Sequence, residues 1–213
     1  MTTIIYSEPK SPGASITGYR SLVRTVPPSV EPITLAEAKA HCRVDSTADD
    51  AYITTLITVA REYVEERLDM TLITSTWQAS YDCFPLWELL LPRPPMQNAS
   101  VSVAYRQTDG NVTTIVSGST TFQADPNATP GRIYPLYAQA WPVPRGDENS
   151  VTVTWTAGYG ASGASVPAVV KHAMLLLIGH WFAAREPVTS GNAVVVPLTF
   201  ETLIAASGWG GYR

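Results

Sequence analysis

The residues best placed to do chemistry are Gly158-Tyr-Gly-Ala-Ser-Gly163, a GxGxxG spacing between a β-prone run and a helical one. In a dinucleotide site this spacing lets backbone amides at a helix start approach a pyrophosphate. Such a site also needs its last glycine in the first helical turn, and a parallel strand ending in an acid further on. Here the helix waits until Pro167, and Pro187 and a tail follow it, so the stretch reads as a strand-to-helix loop. His41, His172 and His180 share no ligand spacing, and no acid separates the latter two at two helical turns. Asp45, Asp49 and Asp50 lack the register of a calcium loop and read as helix-start residues. No serine sits in a GxSxG elbow, and no thiol or hydroxyl has a local pattern that names a base. Cys42 and Cys83 lack CxxC or Cys/His spacing and are expected to be buried free thiols. Local spacing thus names no catalytic, cofactor or metal site, while a hydrolase whose triad assembles in space stays open.

The elements that hold these residues begin with a capping box, Thr34 and Glu37, opening a short helix with Leu35, Ala38 and Cys42 on its apolar stripe. After the DSTADD turn a long helix carries Ile53, Leu56, Ile57, Ala60, Val64 and Leu68 at helical spacing. Arg61, Glu62, Glu65, Glu66 and Arg67 are assigned to its wet face. From Thr71 the period becomes two, with Ile73, Ser75, Trp77, Ala79, Tyr81 and Cys83 on one side. Leu89 to Leu91 is short and extended. Val101, Val103 and Tyr105 are expected to pair with Val112, Thr114 and Val116 through a hairpin at Asp109-Gly110. Thr121 to Ala124, Arg132 to Pro135 and Val151 to Trp155 extend this into a β-meander. Pro167 opens a third helix, apolar nearly all round, expected to lie between the sheet and the first helical pair or between subunits.

The 213 residues carry 14 Lys and Arg against 18 Asp and Glu, and only 15% of residues are charged. No basic footprint for reading nucleic-acid sequence exists, although a mildly acidic wall suits a conduit that must not hold nucleic acid. Abundant Thr, Ser, Pro and Gly favour a β-rich body with a hydroxyl surface. No export signal or membrane span is expected, and the Asn-x-Ser/Thr matches at Asn98, Asn111 and Asn127 read as chance. Residues 1–32 are rich in proline, with only Ser21 to Val26 extended, and read as an arm. Ile4, Ile5, Tyr6, Leu22 and Val23 on that arm favour an oligomer.

The stretches PITLAEAKAHCRVD and AYITTLITVAREYVEERLDMTLITSTWQ, with the later TAGYG and VPAVVKHAMLLLIGHWFAARE, resemble the head-tail connector (adaptor) proteins of tailed bacteriophages. The likeness covers Pro32 to about Trp77 and about Val151 to Glu186, with Phe182 where the family usually has tyrosine. It implies a non-enzymatic ring on the portal protein, with the portal's twelve-fold symmetry. Leu35, Ala38 and Ile53 to Leu68 would lie in ring-body helices, and Trp181, Arg185 and Glu186 would end the last one. Implied partners are the portal, copies of itself, the next neck or tail protein (a stopper or tail terminator) and genomic DNA passing through without sequence recognition. No membrane partner is implied. The implied location is the virion neck, after synthesis in the host cytoplasm. The alternatives are another neck or tail-completion (stopper) protein and, third, an enzyme of unknown chemistry.

The expected fold class is therefore α+β, a helical bundle with an inserted antiparallel β-domain and extended terminal arms. The expected division is an arm at 1–32, a helical ring body at 33–70 and 166–186, a β-rich domain at 71–165 and a docking tail at 187–213. In the tail Phe200, Leu203, Ile204, Trp209, Tyr212 and Arg213 are expected to dock on the portal, because apolar anchors in a glycine-rich segment order best on a partner. A subunit interface is expected at Arg61, Glu62, Glu65, Glu66, Arg67, Trp181, Arg185 and Glu186.

Overall fold

A computed structural model of the chain describes residues 18–184, 188–189, 192–193, 200 and 202–203. The order of elements is β1 (Ser21–Val26), α1 (Leu35–Cys42), α2 (Asp50–Leu68), β2 (Ser75–Tyr81), β3 (Leu89–Leu90), β4 (Met96–Arg106), β5 (Val112–Val116), β6 (Phe122–Asp125), β7 (Arg132–Pro135), β8 (Val151–Ala157), α3 (Ala168–Ala183) and the short ribbon β9 (Val188–Thr189) and β10 (Asn192–Ala193). The class is α+β.

The capping box forms as its spacing dictates. The Glu37 amide donates to Thr34 Oγ1 at 3.2 Å and the Thr34 amide to Glu37 Oε2 at 2.7 Å. Arg43, in the left-handed region at φ 55°, closes α1. Two ion pairs then tie the helices together, Lys39 to Asp50 of α2 at 2.6 Å and Lys171 of α3 to Glu37 at 2.8 Å. The Lys171 ammonium, then the Thr34 amide and hydroxyl, hold the Glu37 carboxyl at about 2, against an ordinary 4.5. A carboxyl lowered in the fold stabilises fully above its unfolded value and loses that contribution as pH falls through its folded one. The Glu37 side chain is 43% exposed, so solvent screening keeps its ion pair small. Glu37→Gln keeps an acceptor for the Thr34 amide and loses only the charge, so it should cost less than about 1 kcal/mol at pH 7. In urea titrations the gap between mutant and wild type should close between pH 4.5 and 2. A gap that does not change with pH would exclude this linkage.

α3 packs directly on α1 and α2. Its Val170, Ala173, Met174, Leu177 and Ile178 are buried with Ala38, Ile53, Ile57, Ala60 and Val64 in one apolar cluster. The expected position between the helical pair and the sheet is not taken, because the sheet's apolar face is covered by a second sheet. That face and its cover form a separate cluster.

The larger sheet has the order β1-β2-β8-β4-β5, antiparallel throughout, and the smaller β3-β7-β6. A meander is therefore not formed. β8 inserts between β2 and β4 and places Trp155 beside both Trp77 and Val101. Its strict alternation explains the central place: Val151, Val153, Trp155 and Ala157 are all buried, while Thr152, Thr154 and Thr156 face outward. β3, β6 and β7 pack Leu89, Phe122, Ala124 and Ile133 onto that inner face, making a sandwich.

The hairpin forms at Asp109-Gly110, one residue out of the expected register. Val103 stands opposite Ile115 and Tyr105 opposite Thr113, while Val112, Thr114 and Val116 are exposed. A one-residue slip exchanges faces, and Ile115 is the better residue to turn inward. Ser21 to Val26, expected as the extended part of an arm, is the edge strand paired with β2. Cys83 lies beyond β2 and is exposed, contrary to expectation, and Cys42 is half-buried. Burial pushes the Cys42 thiol up, which makes it a poor nucleophile at neutral pH.

Candidate functional site

The most organised polar site joins the helices to the sandwich. α2 places Arg61 and Glu65 one turn apart, and their side chains, only 5% and 3% exposed, pair at 3.0 Å. Glu65 also accepts from Arg24 of β1 at 2.7 Å and from the Leu72 amide at 2.9 Å. Arg61 reaches Glu31 at 2.8 Å, and Thr58 donates to the same carboxylate at 3.0 Å. Burial alone would push the Arg61 guanidinium down, but Glu31 and Glu65 outweigh it and its pKa is raised. On the other side of Glu65, Arg93 donates to the Glu65 carbonyl at 3.1 Å and to the Glu66 carboxylate at 2.7 Å. Arg24 and Arg93 lie over the Trp77 ring, 4.6 and 5.5 Å from its centroid, where the aromatic quadrupole attracts cations. The network thus fixes the end of α2 against β1, the start of β2 and the Pro92–Pro95 turn.

Arg61 and Glu65 are therefore not on a wet face. Both are consumed inside the subunit, because a buried charge is tolerated only with partners, and each has at least two. Glu62, Glu66 and Arg67 are exposed. Trp181 is half-buried and meets Tyr63 edge-on at 5.8 Å. Phe200, expected in a projecting tail, is fully buried 5.7 Å from Tyr63, and Leu203 packs on the same helical cluster. Those two residues belong to the body of the subunit because Tyr63 and the helical core offer them more apolar surface than water does. Arg185, Glu186, Ile204, Trp209, Tyr212 and Arg213 lie outside the described residues.

The GxGxxG glycines are packing residues. Gly158 has φ 124°, and a Cβ there would stand 2.7 Å from the Ile73 carbonyl carbon and the Thr74 nitrogen. Gly160 forms a parallel bridge with Ile73, and Gly163 approaches the Pro32 carbonyl too closely for any side chain. At Gly158 the loop passes so close to the segment that links α2 to β2 that no side chain fits there. His41 lies on Gly179 of α3, where a Cβ would be 3.1 Å from its Nε2. Among the described residues no three His, Cys, Asp or Glu side chains gather to hold a metal ion, and no helix is long and apolar enough to cross a membrane.

What remains is surface. The outer face of the larger sheet presents Thr76, Gln78, Ser80, Thr152, Thr154, Thr156, Ser102 and Thr114, with Val112, Val116 and the charged Arg106 toward its β5 side. Tyr137 and Trp87 are 99% and 81% exposed, and the Trp87 carbonyl accepts from Trp141 Nε1 at 3.3 Å. Sequence reasoning missed these two rings, as well as Arg24, Glu31 and Arg93 at the joint. Only the Pro-Arg-Pro-Pro run around Arg93, held at φ 62°, marked any of them as unusual.

Residues 32–112 match the family model for the Phage gp6-like head-tail connector protein. No curated protein matches the chain. The fold is similar to that of a chain in the neck of an empty GTA particle computed with C6 symmetry, with TM-score 0.73 and 21% identity over 91% of this chain and 100% of that one. It is similar to a chain in the virion of a native gene transfer agent (GTA) particle, with TM-score 0.71 and 23% identity over 90% of this chain and 99% of that one. A third, in the neck of a native GTA particle computed with C12 symmetry, gives TM-score 0.60 and 22% identity over 86% of this chain and 93% of that one.

Proposed function

We infer that this chain is a head-tail connector of the Phage gp6-like family, a structural protein of the neck in a phage-like particle. The observation that carries the reading is the coincidence of the family match over residues 32–112 with a fold shared, nearly end to end, with a neck chain of GTA particles. A rigid ionic joint between helices and sandwich suits a part whose task is to hold shape.

The subunits assemble into a ring through copies of themselves, a ring being the closed form of a head-to-tail contact. The helices form the ring body, and the exposed Glu62, Glu66 and Arg67, with Trp181, Arg185 and Glu186, line the contact between neighbours. The head-side partner is the portal protein, and the other side receives the next neck or tail protein. DNA passes through the lumen unread. Ile204, Trp209, Tyr212 and Arg213 provide the portal anchor, Phe200 and Leu203 being already used inside the subunit. The test is to assemble particles without this chain. Filled heads without tails are expected, with tails restored by adding the purified protein; tailed particles in its absence would overturn the reading.

A further inference from the structure

The larger sheet has two open edges of different character. β1 carries a register shift between Arg24 and Val26 and is followed by Pro27-Pro28, features that discourage further pairing. β5 has none of these. It reads Val-Thr-Thr-Ile-Val, with no charge, proline or bulge. The Gln107 amide donates to the Asn111 carbonyl and the Ser117 amide to the Val101 carbonyl, so pairs of odd number are the hydrogen-bonded ones. Antiparallel alternation then turns the N–H and C=O groups of Val112 and Thr114 and the N–H of Val116 to the open edge, the Val116 carbonyl being taken by the Ser119 amide. Val112 and Val116 are also 65% and 55% exposed. An unprotected, uncharged edge of this kind is a template for one more strand.

The sequence holds a segment of matching length and β-propensity. Thr2-Thr-Ile-Ile-Tyr6 is five β-prone residues, as long as β5, and no charge precedes Glu8. From Ser7 to Thr17 the chain can span about 36–40 Å when extended. The described chain begins beside β1, where the Arg20 amide bonds the Ser80 carbonyl, at the edge of the sheet opposite β5. A head-to-tail ring joins two different sides of neighbouring subunits, and β1 and β5 are the opposite edges of one sheet.

We propose that Thr2–Tyr6 of one subunit adds to β5 of its neighbour as a sixth strand, locking the ring by main-chain hydrogen bonds. The proposal rests on the ring reading above. It gives the uncharged β5 edge a strand to pair with.

Thr114→Pro removes one outward N–H and no internal pairing, so the purified protein should melt within a few degrees of wild type. Its incorporation into particles should fall at least tenfold. In a Cys42→Ala, Cys83→Ser background, full chains carrying Ile4→Cys alone are assembled with chains carrying Thr114→Cys alone. Oxidation should give a covalent dimer. No dimer, a bridge formed only when both cysteines share one chain, or full incorporation of Thr114→Pro overturns the proposal while the ring reading stands. Absence of the wild-type chain from purified particles overturns the ring reading and the proposal with it.

Discussion

Replacing Glu65 by alanine is expected to destabilise the protein by about 3–5 kcal/mol, the range for breaking a buried charge cluster by removing one partner. The carboxylate takes bonds from Arg61, Arg24 and the Leu72 amide, so its removal takes a partner from two guanidinium groups and a backbone donor at once. Arg61 keeps Glu31, while Arg24 keeps only the Trp77 face. The adjacent Glu66 provides the contrast. Its side chain is 78% exposed, so Glu66→Ala should change stability by no more than about 0.5 kcal/mol in spite of the Arg93 contact. Guanidinium unfolding of the two variants measures the difference directly. Equal, small effects would mean that the joint does not hold the helices to the sandwich.

Gly158→Ala should be nearly as damaging, by about 2–5 kcal/mol from backbone strain and overpacking together. The residue sits at φ 124°, and the added methyl meets the Ile73 and Thr74 backbone, which cannot move aside without disturbing the start of β2. Gly118→Ala separates the two causes. Gly118 has φ 81° but open space around it, so only the conformational cost of about 1 kcal/mol remains. A GxGxxG loop that served a nucleotide would behave otherwise, with ligand affinity lost and the fold retained.

Local signals were read well. The Thr34 and Glu37 box, the apolar spacing of α2, the alternation of β2 and β8 and the turn at Asp109-Gly110 all depend on residues a few positions apart. The connector resemblance rested partly on Pro32 to Trp77, and the family match covers the same stretch. Misreadings came where a distant partner decides. Arg61 and Glu65 look like ordinary helix-surface charges until Glu31 and Arg24, 30 and 41 positions away, close over them. The meander failed for the same reason, since order in a sheet is set by which strand best fills its centre, and β8 comes last in the chain among the sandwich strands. Phe200 reads as a docking anchor within its glycine-rich segment because the ring it packs against, Tyr63, lies far away in the chain.

The central claim is that this chain builds a ring in the neck. Cryo-electron microscopy of purified particles, reconstructed around the head-tail junction, tests it most directly. The account predicts a ring of density with the symmetry of the portal in which three helices and a five-on-three-stranded sandwich fit each repeat. A junction without such a repeat, or the chain found elsewhere in the particle, would contradict it.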